Sequence, residues 1–253
     1  MTNIVACRVG SYGRFTANAY QHMQSIGLRY VEIGIPAPEA VAEILDRLGA
    51  YGLRVSSGAG VCRLADPACV EALKPQVETL GRLGAAIMFL SVRAGETPKA
   101  EAYARLRALG DVAAAGGVTL SLETHPDLVH NGTVARETMD AVAHPNIRVN
   151  FDTGNTYYYN EGADGIEELR KALPYVASVH LKDSNGGFRD GKFPTLGQGM
   201  VDFPEVFRLL NARGMFGPFT MELEGLSGAG SSETHQFELV AASFNYLKRI
   251  GVA

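Results

Sequence analysis

Short apolar runs, each closed by a polar residue or a turn signal, recur along the chain and alternate with longer segments of helical period. Residues 4–9 and 30–35 read as the first two strands, with a turn at Gly10 to Gly13 and a helix ending near Gly27 between them. Pro36 and Pro38 stop the second strand, and Pro38 suits the first turn of the helix that follows. A third strand is predicted over 53–57. Asp66 as an N-cap with Pro67 behind it opens a helix running through Leu83 despite Pro75. A strand over 86–92 and a helix over 100–115, stopped by Gly116 and Gly117, complete the first half.

The second half repeats the unit with a difference at the strand ends. VTLSLE closes on Glu123, IRVNFD on Asp152, YVASVHLKD on His180 and Lys182, and PFTMELEG on Glu222 and Glu224. Glu123 to Asp152 is 29 residues and Asp152 to His180 is 28, each the length of one strand plus one helix. His180 to Glu222 is 42, because a Gly-rich segment from Asp183 to Phe203 is inserted. A last helix is expected over 233–250. Eight βα units in one series predict a single-domain (β/α)8 barrel over 1–253 rather than an open doubly wound sheet of five or six strands.

Ligands bind at the carboxyl ends of strands in such a fold. A lone buried carboxylate there is accounted for by an ion pair. Four in series, Glu123, Asp152, His180 and Glu222, make an oxygen-rich set with one imidazole. That set suits a divalent metal, Mn²⁺ foremost, with Mg²⁺, Co²⁺ or Zn²⁺ as alternatives.

Composition narrows the field. A chain of 253 residues with 46% hydrophobic and 20% charged residues is an ordinary globular protein. Its net charge of −4 gives no basic footprint for nucleic acid. No apolar run is long enough for a membrane span, and the start lacks the order of a signal peptide, so a cytoplasmic protein is expected. Cys7, Cys62 and Cys69 match neither a zinc motif nor a disulfide framework and read as reduced structural thiols.

On LETHPD, NFDTGN, VHLKD, LGQGMVDFPEVFRLL and MELEG the chain resembles the xylose-isomerase-like barrel family of sugar and sugar-phosphate isomerases and epimerases, whose members include enzymes acting on inososes. The resemblance covers essentially the full length. It implies Glu123, Asp152, His180 and Glu222 as metal ligands, and Glu123 and Glu222 as the two acid/base carboxylates. Two positions depart from the family pattern: Asn155 stands where many members have His, and Gly186 where ketose epimerases have Arg.

The implied activity is isomerisation or epimerisation of a keto-sugar or related polyol by proton transfer through an enediolate, with a small-molecule partner and a homo-oligomer as one option. A leaving group beside the enediolate would turn the same machinery into a lyase or dehydratase. An endonuclease IV-like phosphodiesterase is the more distant alternative, and it needs more histidines than these strand ends supply. His125, Asn155, Lys182 and Glu32 are candidate substrate-binding residues. The competing accounts are a loop histidine ordering Pro126 for His125, and salt-bridge roles for Lys182 and Glu32. Tyr157, Tyr158 and Tyr159 are expected as a packed cluster or an apolar wall. Residues 183–203 read as a substrate-covering loop using Phe188 and Phe193, or as passive surface. His22, His144 and His235 are expected at the surface.

Overall fold

A computed structural model describes residues 2–225 and 231–253. Eight parallel strands close in sequence order: β1 (Val5–Arg8), β2 (Tyr30–Gly34), β3 (Arg54–Ala59), β4 (Ile87–Leu90), β5 (Thr119–Glu123), β6 (Ile147–Asp152), β7 (Val176–Leu181) and β8 (Phe219–Met221). The predicted barrel is therefore the observed one. The last pairing, β1 to β8 through Ala6 opposite Thr220, leaves the sheet no free edge.

Helices wrap the outside: α1 (Ala19–Ile26), α2 (Val41–Ala50), α3 (Cys69–Arg82), α4 (Lys99–Ala115), α5 (Gly132–Val142), α6 (Asn155–Tyr159), α7 (Gly165–Ala172), α8 (Phe203–Ala212) and α9 (Glu233–Arg249). None among the described residues is long and apolar enough to cross a membrane. Their starts follow local chemistry. Asp202 accepts from the Glu205 amide at 3.0 Å to cap α8, and Asp164 accepts from Ile166 and Glu167 at 3.0 and 3.1 Å to cap α7. Gly27 ends α1 in the left-handed region, φ 92°, which a side chain would resist.

Two boundaries differ from the reading above. The predicted first helix begins as 3₁₀ turns over Val9–Asn18, and only Ala19–Ile26 is α-helical, because Gly13 and Phe15 leave helical geometry. Asp66 caps a turn, accepting from Ala68 at 2.8 Å, and α3 begins at Cys69.

The helices bury their apolar faces against the strands. Phe207 of α8 and Phe219 of β8 place their rings 4.4 Å apart, in a shell where each fully buried Leu or Phe contributes about 1.5–3 kcal/mol. Inside the barrel the layer beneath the strand ends is polar. Ser121, Asn150, Ser178 and Thr220 precede Glu123, Asp152, His180 and Glu222 by two residues, so strand alternation turns both sets inward. Ser121 and Ser178 hydroxyls lie 2.7 Å apart, and Ser178 donates to Asn150 Oδ1 at 2.8 Å. This hydrogen-bonded floor supports the residues above it.

The three cysteines are free. Burial pushes the Cys7 and Cys62 thiols up to about 12, keeping them protonated. Of the histidines expected at the surface, His235 is exposed. His22 is half-buried, bonded to Tyr12 at 2.9 Å and stacked on Phe237, and His144 is half-buried and accepts from the Asn146 amide at 3.0 Å.

Candidate metal centre and active site

The four predicted ligand residues converge at the carboxyl end of the barrel. Each offers one ligand atom from Glu123, Asp152, His180 and Glu222 such that all lie within 4.8 Å of one another, and all four residues are buried. Register explains part of this, since Asp152 and His180 are paired neighbours on β6 and β7. The remainder comes from the pairing of β7 with β8 and from the curvature of the sheet, which turn Glu222 and Glu123 toward the same imidazole. His180 Nδ1 lies 3.0 Å from Glu123 Oε1 and 3.2 Å from Glu222 Oε2.

Glu32 takes the opposite side of that ring. Its carboxylate lies 3.2 Å from His180 Nε2 and accepts from Ser57 at 2.7 Å. It contacts the far edge of the imidazole and is not among the residues that line the cavity. A carboxylate receiving the Nε2 proton leaves Nδ1 free to ligate, the usual arrangement around a metal-bound histidine.

The charges are mutually supporting. Burial acts to lower the His180 pKa, but the charge of Glu32 and the hydrogen bonds of Glu123 and Glu32 outweigh it and push it up to about 9. Burial likewise opposes ionisation of Glu123, yet hydrogen bonds from His125 and His180 hold it well below the ordinary carboxylate range. Glu32 is lowered too, against its burial, chiefly by the charge of His180.

Asp152 is fixed from its own chain. Its Oδ1 accepts from the amides of Gly154 and Asn155 at 2.9 and 2.8 Å, which leaves Oδ2 aimed into the site. Asp152 Oδ2 and Glu222 Oε2 are both buried and accept no well-formed hydrogen bond, although the Lys182 ammonium is 3.1 and 2.8 Å away. Buried acceptors are ordinarily satisfied. Two orphaned carboxylate oxygens beside a histidine nitrogen therefore fit a hard divalent cation, and the set can hold one.

A cavity of about 430 Å³ opens above this group. His125, Asn155 and Lys182 line it, as do Arg8, Phe89 and Tyr159. His125 Nε2 is 3.0 Å from Glu123 Oε2, and its Nδ1 is 2.8 Å from the Tyr159 hydroxyl, so a hydrogen-bonded chain runs from the first carboxylate to the cavity wall. Tyr158 also faces the cavity, while Tyr157 is buried in packing. Asn155 donates to the Thr124 carbonyl at 3.2 Å and turns its oxygen toward Lys182.

Residues 183–203 cross this cavity in part. Phe193 lines it and lies 5.0 Å from the Lys182 ammonium, whereas Phe188 is solvent-exposed. The returning arm is anchored by Asp183, whose carboxylate accepts from Gly197, Gly199 and Val201 at 2.8, 2.9 and 3.2 Å.

Arg8 is the residue that sequence reasoning missed. Its guanidinium contacts Glu222, within reach because β1 closes against β8, and stands over the Phe89 ring of β4 at 5.2 Å. A basic residue at the end of the first strand was the available signal. Glu224, noted above without a role, reaches Lys182 at 2.9 Å.

A closed eight-strand barrel carrying four buried, metal-ligand-type side chains at its strand ends defines the class to which this chain belongs by architecture. Residues 20–250 match the xylose isomerase-like TIM barrel family, and the chain belongs to it. It is 28% identical over 157 residues to the inosose dehydratase of Serratia proteamaculans, a match covering 55% of this chain and 51% of that protein. The chain thus spans about half the length of the inosose dehydratases it matches first. It is 27% identical to the L-ribulose 3-epimerase of Methylomonas sp., over 78% of this chain and 74% of that one. Among solved structures it is similar to the D-psicose 3-epimerase of Clostridium cellulolyticum, with TM-score 0.78 and 14% identity, covering 97% and 98% of the two chains.

Proposed function

We propose that this protein is a divalent-metal-dependent enzyme that moves the proton next to the carbonyl of a keto-sugar or related polyol, giving isomerisation or epimerisation. The observation that carries this is the pair Glu123 and Glu222, both within hydrogen-bond reach of His180 Nδ1 from different sides of the barrel. Glu123, Asp152, His180 and Glu222 would hold the ion. When bound, it would supply Lewis-acid stabilisation of the negative charge that develops on the substrate carbonyl oxygen.

The chain's own residues do the remainder. One carboxylate takes the proton as the carbon–hydrogen bond breaks and its electron pair moves toward the carbonyl oxygen. Return of a proton by the other carboxylate to the opposite face gives an epimer. Return to the carbonyl carbon by the same carboxylate, with the hydroxyl proton passing from the neighbouring oxygen to the former carbonyl oxygen, gives an isomer. Phe89, Tyr158, Tyr159 and Phe193 provide aromatic faces for the carbon skeleton of the substrate and exclude water from it. Asn155 and Lys182 offer a donor set for substrate hydroxyls.

A second reading, elimination of water or an alcohol, is favoured by the asymmetry of the two glutamates. Arg8 and Lys182 engage Glu222 with two cations, whereas Glu123 carries His125, which leads to Tyr159 at the cavity wall. A histidine there is placed to protonate a departing hydroxyl.

Incubation of Mn²⁺-loaded protein with a panel of keto-sugars and inososes in D₂O tests both readings. Deuterium should enter the carbon next to the carbonyl in the first reading and the carbon that loses its hydroxyl in the second, and Glu123→Gln should slow turnover about 100-fold or more. Inversion or carbonyl migration supports the first reading, and loss of water or alcohol the second. Turnover without label, or near-parent rates in both Glu123→Gln and Glu222→Gln, would refute the carboxylate mechanism.

A further inference from the structure

Lys182 is an unusual neighbour for a cation site. Its side chain is 2% exposed, and its ammonium sits 3.1 Å from Asp152 Oδ2, 2.8 Å from Glu222 Oε2 and 2.9 Å from Glu224 Oε2. Asn155 Oδ1, at 3.3 Å, is the fourth oxygen around it. Asp152 and Glu222 belong to the group whose ligand atoms cluster within 4.8 Å, so the ammonium shares their oxygens with that group. The backbone makes room for its stem: a Cβ on Gly154 would lie 2.7 Å from Lys182 Cγ.

We propose that Lys182 is a built-in cation that competes with the divalent ion for Asp152 and Glu222, holding the carboxylates together in the metal-free protein and yielding them on metal entry. This rests on the reading of Glu123, Asp152, His180 and Glu222 as a metal site. Charge is the first argument. Glu32, Glu123, Asp152 and Glu222 are four buried carboxylates, and among the described residues their ion-pair partners other than Lys182 are Arg8, His180 and, on Glu123, His125. Like charges so close in a buried site repel strongly unless a cation lies between them.

Geometry is the second argument. The ammonium lies within ion-pair distance of Asp152 Oδ2 and Glu222 Oε2 but gives neither a well-formed hydrogen bond, so it fills the charge requirement of those oxygens without fixing their direction. Its remaining partners lie outward. Glu224 is 55% exposed at the mouth of the cavity, and Asn155 and Phe193 line the wall. An ammonium that lets go of the two ligand carboxylates therefore keeps charged and polar partners without returning to bulk water.

The test is calorimetric titration of chelator-stripped parent and Lys182→Met with Mn²⁺, alongside melting curves of each with and without the ion. Lys182→Met should bind Mn²⁺ at least tenfold more tightly than the parent. Its metal-free form should melt lower than metal-free parent, and saturating Mn²⁺ should raise its melting temperature by more than it raises the parent's. Should metal-free Lys182→Met fail to fold, Lys182→Gln and refolding in Mn²⁺ replace it, and dependence of folding on the ion is itself the expected result. Unchanged or weaker Mn²⁺ affinity in a folded variant, with the parent binding normally, would overturn the proposal and leave the metal site standing. Absence of binding in both proteins would overturn the metal site and the proposal with it.

Discussion

Asp183 offers the sharpest energetic test of how the cavity is built. Its carboxylate accepts backbone N–H groups from Ser184, Gly197, Gly199 and Val201 at 2.9, 2.8, 2.9 and 3.2 Å, two to each oxygen. Three of these donors come from the far arm of the 183–203 segment, and Asp183 itself is 1% exposed. Hydrogen bonds to a charged group are each worth about 1.5–3 kcal/mol. The loss in Asp183→Ala falls short of their sum, because Leu196 stays tied to Ser243 at 3.3 Å and Met200 to the Ser184 carbonyl at 2.8 Å. A net cost of about 4 kcal/mol is expected, which for a protein of this size is a drop of about 8–16 °C in melting temperature. Asp183→Asn keeps one acceptor but points an NH₂ at two amides, so it should lose at least half as much. Scanning calorimetry reads both, and limited proteolysis should cut between residues 184 and 202 faster in the variants. A melting temperature within about 2 °C of the parent, with that segment still protected, would refute the account of the loop as anchored by this one carboxylate.

Glu32→Gln removes the anion that orients His180 without touching the cavity wall, so Mn²⁺ affinity should fall about 10- to 100-fold while circular dichroism stays unchanged; full retention of affinity would remove Glu32 from the site. In metal-free protein, His180 has its folded pKa raised to about 9 from an ordinary 6.5. Its charge therefore contributes stability that is complete below pH 6.5 and is lost as the pH rises through 9, by roughly 3 kcal/mol. Denaturation at a series of pH values measures this, and a His180→Asn variant should flatten that part of the profile. Because the ion must displace the same proton, Mn²⁺ affinity of the parent should climb with pH over this window, and a flat dependence would show that His180 is not a ligand.

Local sequence determined more of the site than of its wiring. Glu123, Asp152, His180 and Glu222 were legible because each closes an apolar run, and period-two alternation makes a strand-end residue either inward or outward with no third choice. The eight repeats in series, with turn signals between them, likewise specified a barrel that closes β1 on β8. What escaped were relations that span the chain. Glu32 is 148 residues from His180, and only the curvature of the barrel puts its carboxylate under the imidazole. Arg8 reaches Glu222 because the first strand pairs with the last, a contact no local pattern encodes. The start of α1 was misread for a related reason. The turn expected over Gly10 to Gly13 extends as 3₁₀ turns through Asn18, where Tyr12 is buried against His22 and Phe237, a packing that no local pattern encodes. Lys182 shows the division most clearly. Its place two residues after His180 set it on the inward side of its strand, but the four oxygens that surround it come from the end of β6 and from the segments following β6 and β8, and it is the pairing of β7 with both of those strands that brings them to one ammonium.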